Sequence, residues 1–353
     1  MPGGIERSTA NISNLLQSNH YSITLLILDS SAGTFYQFHP DVKLLQYDLH
    51  FGITTAGTIL TRKLLLLKHI VALRKIFRTI CPDIILATEY HFAITAWFAS
   101  RNMSLKVLTR EAHHFYGLKK NTFWTLLTKA IYPKLDRVIC LNDSEKKLYD
   151  AIGCRTMVIP NYVLPQSKTT SESKNLLTIG RLNEIKGVDL IPVVAEKLLQ
   201  KNKEWKWIII GSGALPEKLK NEIQSRNLQA YIKIIRPVSE NLEEFYRNTS
   251  VYVLTSRLDC FPNVLLEAMS FGVPCVAFNC PTGPAHIINH NEDGILIDEG
   301  NTDQMVEAIY TLLTDNNKRR LFGEKAYHNN IHRFSAETVY KKWQQALNSE
   351  QQV

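Results

Sequence analysis

The sequence contains little that would support a disulfide framework, a structural zinc site or a membrane-spanning helix. Its six cysteines are scattered over 353 residues, and none forms a Cys-x-x-Cys pair. No apolar run approaches the about 20 residues that a spanning helix needs, and the N-terminus lacks the basic-then-apolar pattern of a signal peptide. These absences favour a cytoplasmic protein with reduced thiols. No Asp-x-Asp metal motif stands at a predicted strand end, so we expect metal-independent chemistry and no cofactor.

Acidic residues are missing from one long segment. No Asp or Glu lies within residues 49–82. Residues 1–165 carry 19 Lys and Arg against 11 Asp and Glu, whereas the rest of the chain carries 22 of each. A nucleic-acid partner would explain this basic excess, but no motif that reads DNA or RNA accompanies it. We therefore expect no nucleic-acid partner.

Within this acid-free segment the sequence predicts an amphipathic helix that begins at Arg62 and ends at Ile80. One face of the helix is basic with aliphatic side chains between the charges, and the opposite face is apolar and predicted to face the core. The first face comprises Lys63, Leu64, Leu67, Lys68, Val71, Arg74, Lys75 and Arg78. Such a face suits the surface of an anionic bilayer, while a solvated face is the open alternative. We expect peripheral contact with the inner membrane through this helix.

Length and composition predict two globular domains of the α/β class. With 45% apolar and 21% charged residues, the chain can form two cores of ordinary size. Strand and helix patterns alternate, and a polar segment with Pro165 separates the halves. We predict an N-terminal domain over residues 1–165 and a second domain over residues 166–330. Residues 331–353 are predicted to form a helix that packs back on the first domain.

The most informative stretch runs over residues 251–276. It reads as a strand, a loop, a helix from Asn263 and a second strand, which is one unit of a parallel sheet. Glu267 stands alone among apolar residues in this helix, and a buried carboxylate is costly unless it has a partner. Asp259 precedes it by eight residues, in the loop. Two acids beside a helix N-terminus, whose N–H groups attract phosphate, favour a binding site over a Glu that reaches water.

A second constellation lies in the turn that follows a predicted strand ending at Ile179. Gly180 and Gly187 bound this turn, and Arg181 and Lys186 lie within it. Two cations in a glycine-bounded turn suit a diphosphate, because each charge-assisted hydrogen bond contributes about 1.5–3 kcal/mol.

These motifs together resemble the retaining GT-B glycosyltransferases of family 4, the glycosyl transferases group 1. Four pieces in order carry the resemblance, and they span most of the C-terminal half. They are Gly180-Arg181 with Lys186-Gly187, the run Ile209-Ile210-Gly211-Ser212-Gly213, Asp259 with Glu267-Ala268-Met269, and Gly283-Pro284. The resemblance implies two Rossmann-like domains facing a cleft. Residues 1–165 would form the acceptor-side domain, and residues 166–330 would form the nucleotide-sugar-binding domain.

The resemblance also implies roles for individual residues. Arg181 and Lys186 would contact the donor diphosphate, Glu267 would bind the ribose hydroxyls, and Asp259 would lie near the transferred sugar. Gly180, Gly211, Phe261, Pro262 and Asn263 occupy donor-binding positions of the family. The sequence departs from the family where Asp259 replaces the usual Glu, where Cys260 replaces Gly, and where His286 stands in place of a frequent Glu.

The first residues show a further departure. Gly3 and Gly4 enter an amphipathic helix, as in the loop after the first strand of a Rossmann-like domain, where they would help to hold the sugar or the acceptor. No strand precedes them, so the first domain is expected to lack its first strand. We expect either a true start upstream or a truncated and impaired enzyme, with a free N-terminal loop as the alternative.

One candidate catalytic residue belongs to the first domain. A predicted strand ends in Arg110-Glu111-Ala112-His113-His114, at the edge where open α/β sheets bind ligands. Relatives carry a functional histidine in this loop, and the register leaves His113, His114 and Ala112 open for that position. We take His113 as the candidate.

The resemblance predicts a hexosyltransferase that moves a sugar from a nucleotide-sugar, expected to be UDP-linked, to a glycan or polyprenyl-linked acceptor. The expected setting is bacterial surface polysaccharide biosynthesis, such as capsule, O-antigen, lipopolysaccharide or exopolysaccharide. A nucleotide-sugar epimerase of the same fold and an inactive truncated transferase are the alternatives. A nonenzymatic nucleic-acid or membrane-binding protein would leave Glu267 and the Gly180–Gly187 turn unexplained.

Overall fold

In the computed structural model, contacts divide the chain into two compact units. The N-terminal unit comprises Pro2–Ile159 with Tyr340–Val353, and the C-terminal unit comprises Pro160–Val339. The residues described are 4–29, 36–49, 59–117, 122–169, 173–237 and 242–348, and only the backbone is described for residues 59–63. Gly3 lies outside them. The predicted absence of a strand before the first helix concerns residues 1–3, which also lie outside.

The N-terminal unit alternates helices and strands. Its elements in chain order are α1 (Gly4–Gln17), β1 (Thr24–Ile27), β2 (Lys43–Gln46), α2 (Ile59–Ile80), β3 (Ile84–Ala87), α3 (Tyr90–Ala99), β4 (Lys106–Glu111), α4 (Thr122–Ile131), β5 (Arg137–Cys140), α5 (Asp143–Asp150) and β6 (Thr156–Val158). The described strands form a parallel pair, β1 with β2, and a parallel sheet in the order β3-β4-β5-β6. Leu26 of β1 and Ile85 of β3 pack against the same hydrophobic core.

Helix α2 has the apolar core face and the basic outer face that the sequence predicts. It begins at Ile59 and ends at Ile80. Toward the core it buries Leu73, Ile76 and Phe77. On the other face Leu64, Leu67 and Val71 are 59%, 58% and 67% exposed, and Lys68, Lys75 and Arg78 are exposed between and beyond them. Arg74 lies at the border, where its Nη1 donates to Ala99 O at 3.4 Å.

The C-terminal unit contains one larger parallel sheet. Its elements, with the last helix of the chain, are β7 (Asn175–Ile179), α6 (Ile191–Lys201), β8 (Lys206–Ile210), α7 (Pro216–Ser225), β9 (Ile232–Ile235), α8 (Leu242–Arg247), β10 (Val251–Leu254), α9 (Asn263–Ser270), β11 (Cys275–Phe278), β12 (Gly294–Ile297), α10 (Thr302–Thr314), α11 (Asn316–Phe334) and α12 (Ala336–Asn348). The strand order is β12-β11-β10-β7-β8-β9, with every pair parallel. Strands β10 and β11 are buried throughout because helices cover both faces of such a sheet.

The segment between the halves is bonded to the C-terminal unit. Val163 N donates to Phe334 O at 3.0 Å, and Thr169 N donates to Phe271 O at 2.8 Å. Strand β6 ends at Val158, just before this segment. Pro160 has no N–H to donate, so the ladder stops next to it.

None of the helices in the described part of the chain combines the length and the apolar character needed to cross a bilayer.

Candidate functional site

The sheet of the C-terminal unit has a topological switch point between β7 and β10. From β7 the chain proceeds to β8 and β9 on one side, whereas β10, β11 and β12 lie on the other side. The strands that follow β7 and β10 in the chain therefore lie on opposite sides of this point. Open α/β sheets bind ligands at such a point. Both predicted donor motifs follow these two strands.

The turn after β7 is locked against the end of β10. Asn183 Oδ1 accepts from Lys186 N at 3.0 Å, which caps a short 3₁₀ turn. Gly187 ends the turn with φ of +62°, and a Cβ there would lie 1.9 Å from Thr255 O. Thr255 Oγ1 also donates to Lys186 O at 3.0 Å. The backbone that carries Lys186 is therefore held by the loop that carries Asp259.

Lys186 and Asp259 form an ion pair. Lys186 Nζ lies 2.5 Å from Asp259 Oδ2, and Ser256 Oγ donates to the same oxygen at 3.2 Å. The two side chains are 29% and 13% exposed, so a ligand can reach the pair from solvent. The structure thus brings together one predicted cation and one predicted acid.

Glu267 contacts one tyrosine, and its charge affects a second. The carboxylate is 9% exposed, and Tyr246 Oη donates to its Oε2 at 2.8 Å, which offsets the cost of burying it. Tyr252 Oη bonds to the backbone of Ile179, the last residue of β7. Burial above all, together with the charges of Glu267 and Asp259, raises the pKa of Tyr252 well above its usual value. Both acids therefore lie within electrostatic reach of one hydroxyl at the end of β7.

Arg181 completes the set of predicted cations. It follows Gly180 at the C-terminal end of β7 and is exposed. Its guanidinium makes no ion pair or hydrogen bond with the residues that the structure describes. A cation that the turn holds and that no acid among the described residues neutralises can bind an anionic ligand.

The glycines of the resemblance mark close backbone contacts. A Cβ on Gly211 would lie 2.0 Å from Gly180 O, and a Cβ on Gly283 would lie 2.2 Å from Asp259 O. The loops after β7, β8, β10 and β11 therefore pack directly on one another. Burial raises the pKa of the Cys280 thiol in the last of these loops to about 12, so this sulfur stays protonated and is no nucleophile.

The three residues at the start of α9 are largely engaged within the unit. Phe261 is buried with its ring edge-on to Phe334, at 5.7 Å between centroids. Pro262 O accepts from Leu265 N at 3.0 Å, and Asn263 Oδ1 accepts from Asn161 Nδ2 at 2.5 Å. These contacts shape the loop around Asp259.

His113 and Gly4 belong to the N-terminal unit. Gly4 is the exposed first residue of α1. His113 follows β4, and its Nε2 lies 3.3 Å from Glu89 Oε1. His114, the alternative in register, forms a tighter contact, with its Nδ1 2.5 Å from Oε1 of the fully buried Glu145.

Several residues that hold the site in place carry no functional signal in the sequence. Arg257 makes two hydrogen bonds of 2.7 Å to Asp189 and one of 2.6 Å to Glu184 O, which ties the turn after β7 to the loop after β10. Because of Arg257, the pKa of Asp189 is lowered. Tyr246 and Tyr252 lie in ordinary amphipathic or apolar runs, where no local signal marks them. Their roles depend on partners far away in sequence.

No cluster of three or more His, Cys, Asp or Glu side chains suited to a metal ion occurs within the described ranges.

Comparison with known proteins covers both units. The family model of glycosyl transferases group 1 matches residues 164–329, and the model of Glycosyltransferase Family 4 matches residues 2–166. An uncharacterized glycosyltransferase of Haemophilus influenzae is 26% identical over 98% of this chain and 96% of its own. The amylovoran biosynthesis glycosyltransferase AmsD of Erwinia amylovora is 25% identical with the same coverage.

A solved structure supports the same fold. Anabaena Alr3699/HepE in complex with UDP superposes with a TM-score of 0.78 at 17% identity, over 99% of this chain and 97% of that one. The parallel α/β sheets and the ordered motifs agree with the two family matches. The chain belongs to the group 1 glycosyltransferases of GT-B fold, and it is a glycosyltransferase.

Proposed function

We propose that this glycosyltransferase transfers a hexose from a UDP-sugar to a glycan or polyprenyl-linked acceptor, with retention of the anomeric configuration, in the synthesis of a bacterial surface polysaccharide. The observation that carries the proposal is the ion pair of Lys186 with Asp259, which joins the loops after β7 and β10. Arg181 lies in the same turn as Lys186, and the charges of Glu267 and Asp259 both raise the pKa of Tyr252. AmsD is named for amylovoran biosynthesis, and the Anabaena structure holds UDP, which supports this choice of pathway class and nucleotide.

The four side chains suit the charges of the reaction. Sugar transfer develops positive charge on the sugar ring and negative charge on the departing diphosphate. Lys186 and Arg181 would stabilise that diphosphate without a metal ion. Glu267, whose carboxylate is fixed by Tyr246, would accept hydrogen bonds from the ribose hydroxyls. Asp259 would lie next to the transferred sugar.

Titration with UDP tests the nucleotide site. UDP should raise the melting temperature, since a ligand that binds only the folded state stabilises it. Arg181→Ala and Lys186→Ala should weaken UDP binding and reduce transfer by roughly a hundredfold each. Lys174→Ala is the matched control, because Lys174 is a lysine of the same unit in an exposed ion pair with Glu204. Unchanged turnover in both site variants would contradict the assignment.

The stereochemistry needs its own measurement. Proton NMR of the first product formed from a UDP-α-sugar should show an α-linked anomeric proton. A β-linked product would disprove retention while leaving the transferase assignment intact. Formation of a second UDP-sugar without any acceptor would instead support the epimerase alternative.

We also propose that α2 binds the cytoplasmic face of the cell membrane. Its exposed face places Leu64, Leu67 and Val71 among the cations Lys68, Lys75 and Arg78. Apolar side chains can enter the headgroup region, and each basic residue near an anionic surface contributes about 1 kcal/mol. This contact would place the enzyme beside a lipid-linked acceptor.

Co-sedimentation with vesicles tests the membrane proposal. Changing Lys68, Lys75 and Arg78 together to Gln should weaken binding to phosphatidylglycerol vesicles by about 3 kcal/mol, or roughly a hundredfold. Changing Lys218 and Lys220 on α7 to Gln is the control, because that pair lies on the other unit. Binding that ignores the anionic lipid content would refute the proposal.

A further inference from the structure

Two consecutive histidines follow β4, and the structure distinguishes them. His113 is 38% exposed and shares the carboxylate of Glu89 with His91, at 3.3 and 3.8 Å. His114 is 14% exposed and lies 2.5 Å from a carboxylate that is completely buried. A side chain held by one short contact to a buried partner keeps one orientation, whereas an exposed side chain in a looser contact does not.

Glu145 is fixed on both sides. Its Oε2 accepts from Phe115 N at 2.9 Å, while its Oε1 faces His114 Nδ1. The backbone N of Glu145 donates to Asn142 Oδ1 at 2.8 Å, the N-cap of α5. A carboxylate in the first turn of a helix also lies at the positive end of the helix dipole. Glu145 lies three residues after the N-cap Asn142, but its buried carboxylate uses both oxygens for the loop after β4.

This contact decides which nitrogen of His114 carries the proton. A carboxylate oxygen accepts hydrogen bonds, so Nδ1 must donate, and in the neutral ring Nε2 is left with the lone pair. His114 Nε2 makes no hydrogen bond within the described part of the chain. The charge of Glu145 also acts on Tyr149 of its own helix and on Cys140 of β5. Burial above all raises the pKa of both groups, so the phenol and the thiol stay protonated. They do not compete for the proton on Nδ1.

An exposed aromatic ring lies beside this histidine. Tyr116 is 70% exposed, and its ring centroid lies 5.9 Å from that of His114 in an edge-on arrangement. Phe115 between them packs on Tyr149 at 4.9 Å, which fixes the loop. A hydrogen-bond acceptor next to an exposed ring suits a sugar, which presents both hydroxyls and an apolar face.

We infer that His114, and not His113, contacts substrate, and that Glu145 is the positioning residue that directs His114 Nε2 toward a sugar hydroxyl as a hydrogen-bond acceptor. The site lies at the C-terminal edge of the sheet β3-β4-β5-β6. This inference rests on the proposed sugar transfer for its substrate. The tautomer of His114 can be tested without it.

Nitrogen NMR of histidine-labelled protein tests the tautomer directly. In the wild type, His114 should carry a proton on Nδ1, and its Nε2 should be unprotonated. In Glu145→Gln the amide oxygen can still accept from Phe115 N, but the amide NH₂ then faces Nδ1, so the proton should move to Nε2. His114→Gln assigns the signals, and His328→Gln, on the exposed side of α11, is the matched control. A wild-type ring protonated on Nε2 would overturn the inference.

Kinetics test the consequence for substrate. Glu145→Gln should lower kcat by roughly 10- to 100-fold while UDP affinity stays unchanged, because reversing a histidine tautomer removes an oriented acceptor. His114→Ala should lower kcat at least as much, and Glu145→Gln should add little to it. Wild-type kcat and KM in a Glu145→Gln protein whose tautomer has switched would disprove the role of Glu145. So would loss of UDP binding in that variant. Absence of transfer in the wild type would instead contradict the proposed function.

Discussion

At the scale of single residues, Asp259 affects the site through the cation that it binds. In the structure its carboxylate binds Lys186, the cation that we assign to the donor diphosphate. Donor and Asp259 would therefore compete for one ammonium group. The family position usually holds the longer Glu, and the shorter side chain here stays close to its own loop, where Ser256 also bonds it.

The substitution Asp259→Asn separates two roles of the carboxylate, its ion pair with Lys186 and its proposed charge next to the transferred sugar. The amide cannot neutralise Lys186, so UDP should bind at least as tightly as to the wild type, by up to about tenfold. Transfer should fall by about tenfold or more, since the charge next to the transferred sugar is lost. Calorimetry with UDP and a transfer assay on the same preparation check both expectations. Weaker UDP binding in Asp259→Asn would contradict the competition.

The ion pair of Asp189 and Arg257 gives stability that depends on pH. Arg257 lowers the pKa of Asp189 below its value in the unfolded chain, so this stability is fully present above the unfolded pKa and is lost as the pH falls through the folded pKa. Asp189→Asn should cost about 1 kcal/mol in the free energy of unfolding near pH 7, because the pair is partly exposed. The difference should shrink below about pH 4. Urea denaturation across this range measures it, and a difference independent of pH would refute the cause.

At the scale of elements, the turn between β7 and α6 depends on its closing glycine. Gly187 has a positive φ and no space for a Cβ beside Thr255 O. Gly300 also has a positive φ, of +78°, but no atom lies within 4 Å of a Cβ placed there. An alanine at Gly300 therefore shows the cost of the backbone strain without a steric clash.

Gly187→Ala should lower the free energy of unfolding by roughly 2–4 kcal/mol and should abolish UDP binding, because Lys186 would move with the turn. Gly300→Ala should cost only about 1 kcal/mol, the price of φ alone, and should leave UDP binding intact. Thermal unfolding and UDP titration of both variants provide the comparison. Equal effects would mean that the contact with Thr255 is not what matters.

At the scale of the whole molecule, the charge is unevenly distributed. The formal excess of +8 arises within residues 1–165, and the rest of the chain is balanced. Exposed charges are screened beyond about 8 Å at physiological ionic strength, whereas partly buried pairs are screened much less.

Salt should therefore act differently on the two proposed binding activities. Binding to anionic vesicles should weaken by tenfold or more between about 0.05 and 0.5 M NaCl, whereas UDP affinity should change by only about threefold. Vesicle sedimentation and UDP calorimetry at matched salt concentrations measure both. Vesicle binding that resists salt would mean that Leu64, Leu67 and Val71 dominate the contact.

Much of the fold follows from local patterns. Strand β10 and the start of α9 fall where the sequence predicts them, because a β-branched run followed by a loop and an amphipathic run has one favourable local solution. The division of α2 into a core face and an exposed face also follows from helical periodicity, for the side chains that the structure describes from Leu64 onward. Strand β6 ends at Val158 although the apolar run continues through Ile159, because Pro160 has no N–H to donate to the ladder.

The sequence by itself determined the identity and order of the donor motifs, since the residues within each motif are close in the chain and the motif depends on residue type and spacing. Only the tertiary structure decided what each side chain binds: Lys186 on Asp259, 73 residues apart, Tyr246 on Glu267, and His114 on Glu145. The physical reason is that an ion pair or a buried hydrogen bond depends on distance and burial in space. Neither is written in the local sequence.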